Sequence, residues 1–184
     1  MMRKITNGKK LGVLSGMGPA AGAEFLRLLA GRVMVETDQD HPVVYMISDT
    51  QIPDRSTAIL GLGPDPSGQI QADFDKLVEL GADVLACPCN SAHYFIDRLP
   101  TPPSRPLIHI IESTVLAAQQ KSPEGAWLVS TLGTRQSGLY QQYADKYGYR
   151  LFIPSETKAQ QAQACINCIK GSDMLGAARI IEGL

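Results

Sequence analysis

The sequence predicts an α/β fold made of two similar halves, each built on a mainly parallel sheet. Short apolar runs alternate with helix-like stretches along the chain, the order that joins parallel strands by helical crossovers. In addition, Val13-Leu14-Ser15-Gly16-Met17-Gly18 superposes without gaps on Leu128-Val129-Ser130-Thr131-Leu132-Gly133, an offset of 115 residues that also carries Phe25 onto Tyr140. The 184 residues are 44% hydrophobic and 19% charged, enough for one large domain or two small ones and incompatible with wholesale disorder. With 17 Lys plus Arg against 18 Asp plus Glu, the net charge of -1 argues against nucleic acid or an anionic membrane as partner.

Taken in order, Leu11-Gly12-Val13-Leu14-Ser15 is an apolar strand ending in the turn Gly16-Met17-Gly18, and Pro19 opens an Ala/Leu-rich helix expected to reach about Glu36. Val43 to Ile47 is a second strand, ending at Ser48-Asp49. From Thr50 to Gly68, three Pro and three Gly mark a long loop broken by little more than a turn. A helix from about Ser67 to Leu80 leads through Gly81 to the strand Asp83 to Cys87, and a short helix after Ser91 runs to about Leu99.

The stretch from Leu99 to Pro106, with four Pro, is the expected crossover between halves, dividing the chain into a first domain, 1–104, and a second, 105–184. The second half then reads as strand (Leu107 to Ile110), helix to Lys121, strand (Ala126 to Ser130), helix after Gly133-Thr134, strand (Arg150 to Ile153), helix from Ser155, and a last helix from Ser172 to Leu184. An alternating order expects one more strand there, and the 115-residue offset carries Cys89 about 20 residues past Leu184, so the second domain is expected to be incomplete.

No run of 18 or more apolar residues occurs, and the basic start Met1 to Lys10 has no apolar segment behind it, so the chain reads as cytoplasmic. Its four cysteines fall in two close pairs, Cys87 with Cys89 and Cys165 with Cys168, inside regular structure, which predicts reduced thiols. Ligand crevices of open α/β sheets lie at the C-terminal ends of strands, where Cys89 is expected. With Asn90 or Ser91 capping the next helix, its thiolate would face the positive end of a helix dipole, the setting of a base or nucleophile. Cys87, inside the strand, is expected to be a buried structural residue.

The other motifs yield less. Gly16-Met17-Gly18 with Gly22 departs from the dinucleotide fingerprint although Asp49 could imitate its ribose-binding acid, whereas backbone N–H groups at such a turn suit a carboxylate as well as a phosphate. The two cysteine pairs lack the glycines of a zinc knuckle, and Cys165 with Cys168 is expected to share one helix face against the sheet. His41 and His109 are expected to be structural, and His93, one turn into its helix, to support the Cys89 loop by hydrogen bonding.

Gly16-Met17-Gly18-Pro19, Pro53-Asp54-Arg55 and Pro88-Cys89-Asn90-Ser91-Ala92-His93-Tyr94, together with Ser130-Thr131-Leu132-Gly133-Thr134 and Ile169-Lys170-Gly171, resemble the aspartate/glutamate racemase family. The resemblance implies two pseudo-symmetric Rossmann-like domains, a homodimer, no cofactor, and racemisation of an acidic amino acid by two cysteines flanking the substrate Cα. Cys89 matches the first of these cysteines. The second normally sits in a Gly-Cys-Thr-Glu-like loop, which this sequence lacks, so racemisation by these 184 residues is not expected. Met17, Gly18, Asn90, Ser91 and Thr134 correspond to substrate-binding positions, and Arg55 and Lys170 to cationic anchors; two carboxylates call for such charge, which Arg can supply in bidentate fashion. Related hydantoin racemases and dicarboxylate isomerases use similar loops, and a binding domain without catalysis is the alternative from another class.

Overall fold

The structure, a computed structural model, describes residues 8–183. In chain order its elements are β1 (Leu11–Ser15), α1 (Pro19–Arg32), β2 (Val44–Ser48), α2 (Arg55–Ile59), α3 (Ser67–Glu79), β3 (Val84–Ala86), α4 (His93–Ile96), β4 (Leu107–Ile108) and α5 (Ile110–Lys121). They continue with β5 (Ala126–Trp127), α6 (Leu132–Ser137), α7 (Leu139–Lys146), β6 (Leu151–Phe152), α8 (Glu156–Lys170) and α9 (Met174–Ile181). The chain forms two compact units, one from the residues up to Pro53 with Asp65–Ile110, the other from Asp54–Pro64 with Ile111 onward.

The first unit holds a four-stranded parallel sheet in the order β2-β1-β3-β4. Val13, Leu14, Leu85, Ile70, Phe74 and Leu77 are fully buried around it, so the continuous apolar runs of β1 and β3 are the signature of strands covered by helices. Gly12 permits the closest approach: a Cβ there would lie 2.8 Å from that of Ala82 and 2.9 Å from a Leu85 methyl. Helix α1 starts at Pro19 as expected but stops at Arg32, short of Glu36, because Val33 turns extended while its N–H still bonds to Leu29 O. Gly31, two residues earlier, and β-branched Val33 make this the weakest point of the predicted helix.

The division between units departs from the expected 104/105 position. Leu107 and Ile108 pair with Leu85 and Ala86, so β4 completes the first sheet, and the prolines of 99–106 mark a crossover within that unit. Conversely, residues 54–64 join the second unit. Proline content records where the chain runs extended, whereas a boundary depends on which apolar faces are buried together.

In the second unit, β5 and β6 form a two-stranded parallel sheet, with core residues Ile111, Val115, Leu128, Leu139, Tyr140, Ala144 and Tyr149. The helix expected after Gly133-Thr134 begins earlier, at Leu132, where the Thr131 side chain accepts the Thr134 N–H, and breaks at Gly138, whose φ of 69° is left-handed. The cysteine face of α8 is also corrected: Cys165 is buried with its Sγ 3.6 Å from Ala177 O, so this face packs on α9 and not on a sheet. None of the four cysteines is in a disulfide. Among the described residues no helix is long and apolar enough to cross a membrane.

Candidate active site

In the strand order β2-β1-β3-β4 the chain moves one way from β1 to β2 and the other way from β1 to β3, so the topological switch lies between β1 and β3. The C-terminal ends of these two strands carry Gly16-Met17-Gly18 and Cys87 to His93. A parallel sheet opens its crevice at this point, because the connections leave in opposite directions. Two of the motifs singled out from sequence therefore share one edge.

The glycine turn is tightly held. Gly16 has a φ of 92°, and the backbone of Asp49, just past β2, fills the space a side chain would need. Asp49 itself closes a local turn, its Oδ1 accepting the Gln51 N–H at 2.7 Å. Met17 is buried, and Gly18 caps α1, its carbonyl accepting the Ala21 N–H at 3.2 Å. On the neighbouring loop Cys87 and Cys89 are both buried, and Cys89 Sγ lies 3.7 Å from Ser91 Oγ. The expected cap by Asn90 or Ser91 is absent: α4 is a single turn starting at His93, preceded by Ala92 with no side-chain cap bond. One turn of helix sums few peptide dipoles, so the predicted helix-end setting is not formed, and Ser91 Oγ is a polar neighbour of the thiol.

His93 is fully buried beneath this loop. Its Nδ1 lies 2.9 Å from Cys89 O and its Nε2 receives the Ile110 N–H at 3.4 Å. An amide N–H can only donate and a carbonyl can only accept, so the proton sits on Nδ1 and the ring is neutral. The His109 ring meets it edge-on at 4.4 Å, and His109 Nε2 lies 3.1 Å from Asp97 Oδ1. His109 thus stands just ahead of α5 and packs on the site loop, where sequence placed it inside a strand.

Burial pulls the His93 pKa down from 6.5 to about 4; the Cys89 carbonyl and Asp97 oppose the shift, and His109 adds to it. The unfolded chain protonates His93 near pH 6.5 and the folded protein only near 4, so stability should fall as pH drops through that window and level off below it. The loss attributable to His93 should reach on the order of 3 kcal/mol by pH 4. Urea unfolding across pH 7 to 4 in the wild type and in His93→Asn measures it; equal pH slopes would contradict the assignment.

In the second unit, Asp54 caps α2 by accepting the Thr57 N–H at 2.8 Å, and Arg55 follows it, buried. Burial raises the Asp54 pKa, but the Thr57 N–H and the charges of Arg55 and Lys170 outweigh it and hold the carboxyl below its ordinary value. Arg55 and Lys170, the last residue of α8, therefore share one electrostatic neighbourhood. Helix α6 packs closely on α2, since a Cβ on Gly133 would lie 2.6 Å from Ser56 Cα. Thr134 is buried beside this contact and its hydroxyl accepts from Thr131 Oγ1 at 3.0 Å. Sequence reading missed α2, although Asp54 is of a residue type favoured at helix N-caps.

A parallel sheet with a cysteine loop and a glycine turn at its switch point defines an open α/β protein with a cysteine at the end of its central strands. The chain belongs to the Asp/Glu/hydantoin racemase family, whose model matches residues 14–184. It is 28% identical over 144 residues to the broad specificity amino-acid racemase RacX of Bacillus subtilis, a match covering 72% of this chain and 59% of that protein's length. Its fold is aspartate-racemase-like: the Picrophilus torridus aspartate racemase structure superposes with a TM-score of 0.86 at 27% identity, covering 95% of this chain and 74% of that one. The glutamate racemase of Campylobacter jejuni shares the fold, with a TM-score of 0.62 at 17% identity over 89% of this chain and 61% of that one.

Proposed function

We propose that this chain carries the Cys89 half of a two-base site that racemises an acidic amino acid, aspartate or glutamate, in the cytoplasm and without a cofactor. The observation that supports it best is the Cys89 loop beside the glycine turn of β1, at the sheet's switch point, in a chain of this family. The Cys89 thiolate takes the Cα proton and becomes a thiol, the electron pair passes onto the carboxylate-conjugated carbon, and a thiol on the opposite face returns a proton. Met17, Gly18, Asn90 and Ser91 bind the substrate on the first unit. Arg55, Thr134 and Lys170 are the proposed substrate-binding residues of the second unit, Arg55 and Lys170 as carboxylate anchors, and the protein acts as a homodimer.

The opposite-face thiol is expected from a Gly-Cys-Thr-Glu-like loop, which none of the 184 residues forms. Cys165 lies within α8 against α9, and Cys168 lies on the same helix. This favours a second reading for these residues by themselves, binding of an acidic ligand without turnover. Thermal-shift titration joined to NMR of Cα deuteration separates the readings. Binding at a hundredfold excess over Kd stabilises the native state by about 2.7 kcal/mol, a rise of roughly 5–10 °C in Tm. Saturable stabilisation by aspartate or glutamate is expected. A response only to a hydantoin or to a dicarboxylate lacking the amino group would move the assignment to a sister isomerase, and no response to any of them would overturn both readings. Reading the coding region beyond Leu184 tests whether the gene supplies the second cysteine.

A further inference from the structure

We infer that His93 is the positioning residue of the Cys89 loop, its Nδ1–H holding the Cys89 carbonyl while its Nε2 is anchored on the Ile110 N–H. The inference rests on the reading of Cys89 as the base. A thiol that must meet a Cα proton has little tolerance for displacement, and reacting groups misplaced by about 1 Å lose on the order of a hundredfold in rate. Yet the loop has little regular structure of its own. Strand β3 ends at Ala86 and α4 starts at His93, leaving six residues whose local backbone bonds include His93 N–H to Asn90 O, Tyr94 N–H to Ser91 O, and the Phe95 and Ile96 N–H groups to Ala92 O.

His93 supplies a tie from this loop to the rest of the unit. Its ring bonds Cys89 itself, four residues back, and a backbone group seventeen residues on. Ile110 opens α5, and the first amides of a helix have no partner within it, so Nε2 satisfies a donor that is otherwise costly to bury. His109 against the ring face, with Asp97 beyond it, restricts the tilt of the imidazole. Fixing the Cys89 carbonyl fixes that residue's backbone and with it the direction of Cα–Cβ, which sets the thiol beside Ser91.

Two amide substitutions test this, because they differ in reach. The Asn side-chain amide lies as far from the backbone as Nδ1 and can still donate to Cys89 O; that of Gln lies one bond further, near Nε2, and cannot. Iodoacetamide labelling read by mass spectrometry at each cysteine, with and without aspartate, compares His93→Asn, His93→Gln and the wild type. His93→Asn should keep Cys89 labelling within about twofold of the wild type, and His93→Gln should slow it about fivefold or more, with Cys87 and Cys165 unchanged in both. Equal Cys89 rates in the two variants would overturn the inference. A parallel rise at all three buried thiols in His93→Gln would overturn it too, since it would mean a structural role only. Failure of aspartate to protect Cys89 in the wild type would count against the racemase reading, while the contrast between the variants would still decide the positioning role.

Discussion

Replacing Cys89 with serine should abolish racemisation in both directions, by on the order of a thousandfold or more, in any form of the protein that carries the opposite-face thiol. The two directions should fail together because, in the proposed mechanism, Cys89 is proton acceptor for one enantiomer and donor for the other. Serine is nearly isosteric and can keep the contact with Ser91, but its hydroxyl is far too weakly acidic to supply an anion near neutral pH. Substrate binding should survive, since the proposed carboxylate anchors Arg55 and Lys170 are untouched. Polarimetry with each enantiomer and aspartate titration of the same variant measure both halves of the expectation. The 184-residue chain should not racemise at all, and measurable turnover by it would turn attention to Cys165 or Cys168 as an unrecognised second base.

Gly16→Ala should be the most destabilising single-methyl addition at the crevice. At a φ of 92° an L side chain is strained, and its Cβ would lie 2.2 Å from the carbonyl oxygen of Asp49 and 2.5 Å from its nitrogen. Backbone cannot swing aside as a flexible side chain can, so the loop after β2 or the turn after β1 would have to move. Strain and overpacking together should cost about 3 kcal/mol, a fall of roughly 6–12 °C in Tm. Gly18→Ala is the contrast: its Cβ would meet nothing within 4 Å and its φ is -102°, so its stability should change by less than about 1 kcal/mol. Calorimetry on the pair checks the contrast, and equal melting of Gly16→Ala and wild type would contradict it.

Much of the first unit was legible because its signals are local. The apolar run of β1, the Gly16–Gly18 turn and Pro19 at the head of α1 each follow from a few adjacent residues, and all three stand where sequence put them. The misreadings share an opposite cause. Prolines around 99–106 resembled a boundary, yet β4 beyond them pairs with β3. The Cys165 and Cys168 face was assigned to a sheet, yet Cys165 contacts Ala177 of α9. A single helix was expected where Gly138 divides α6 from α7. In each case the local pattern is compatible with more than one neighbour.

The sequence by itself determined that this is a chain of parallel strands and crossover helices with a cysteine at a strand end and the motifs of the Asp/Glu/hydantoin racemase family, because apolar periodicity, turn residues and motif spacing are written in consecutive positions. Only the tertiary structure decided that β1 and β3 are neighbours flanking the switch point, and that His93 ties Cys89 to Ile110. Strand order and a buried ring's two hydrogen bonds depend on contacts between residues distant in sequence, and burial satisfies those groups only once the whole sheet has assembled.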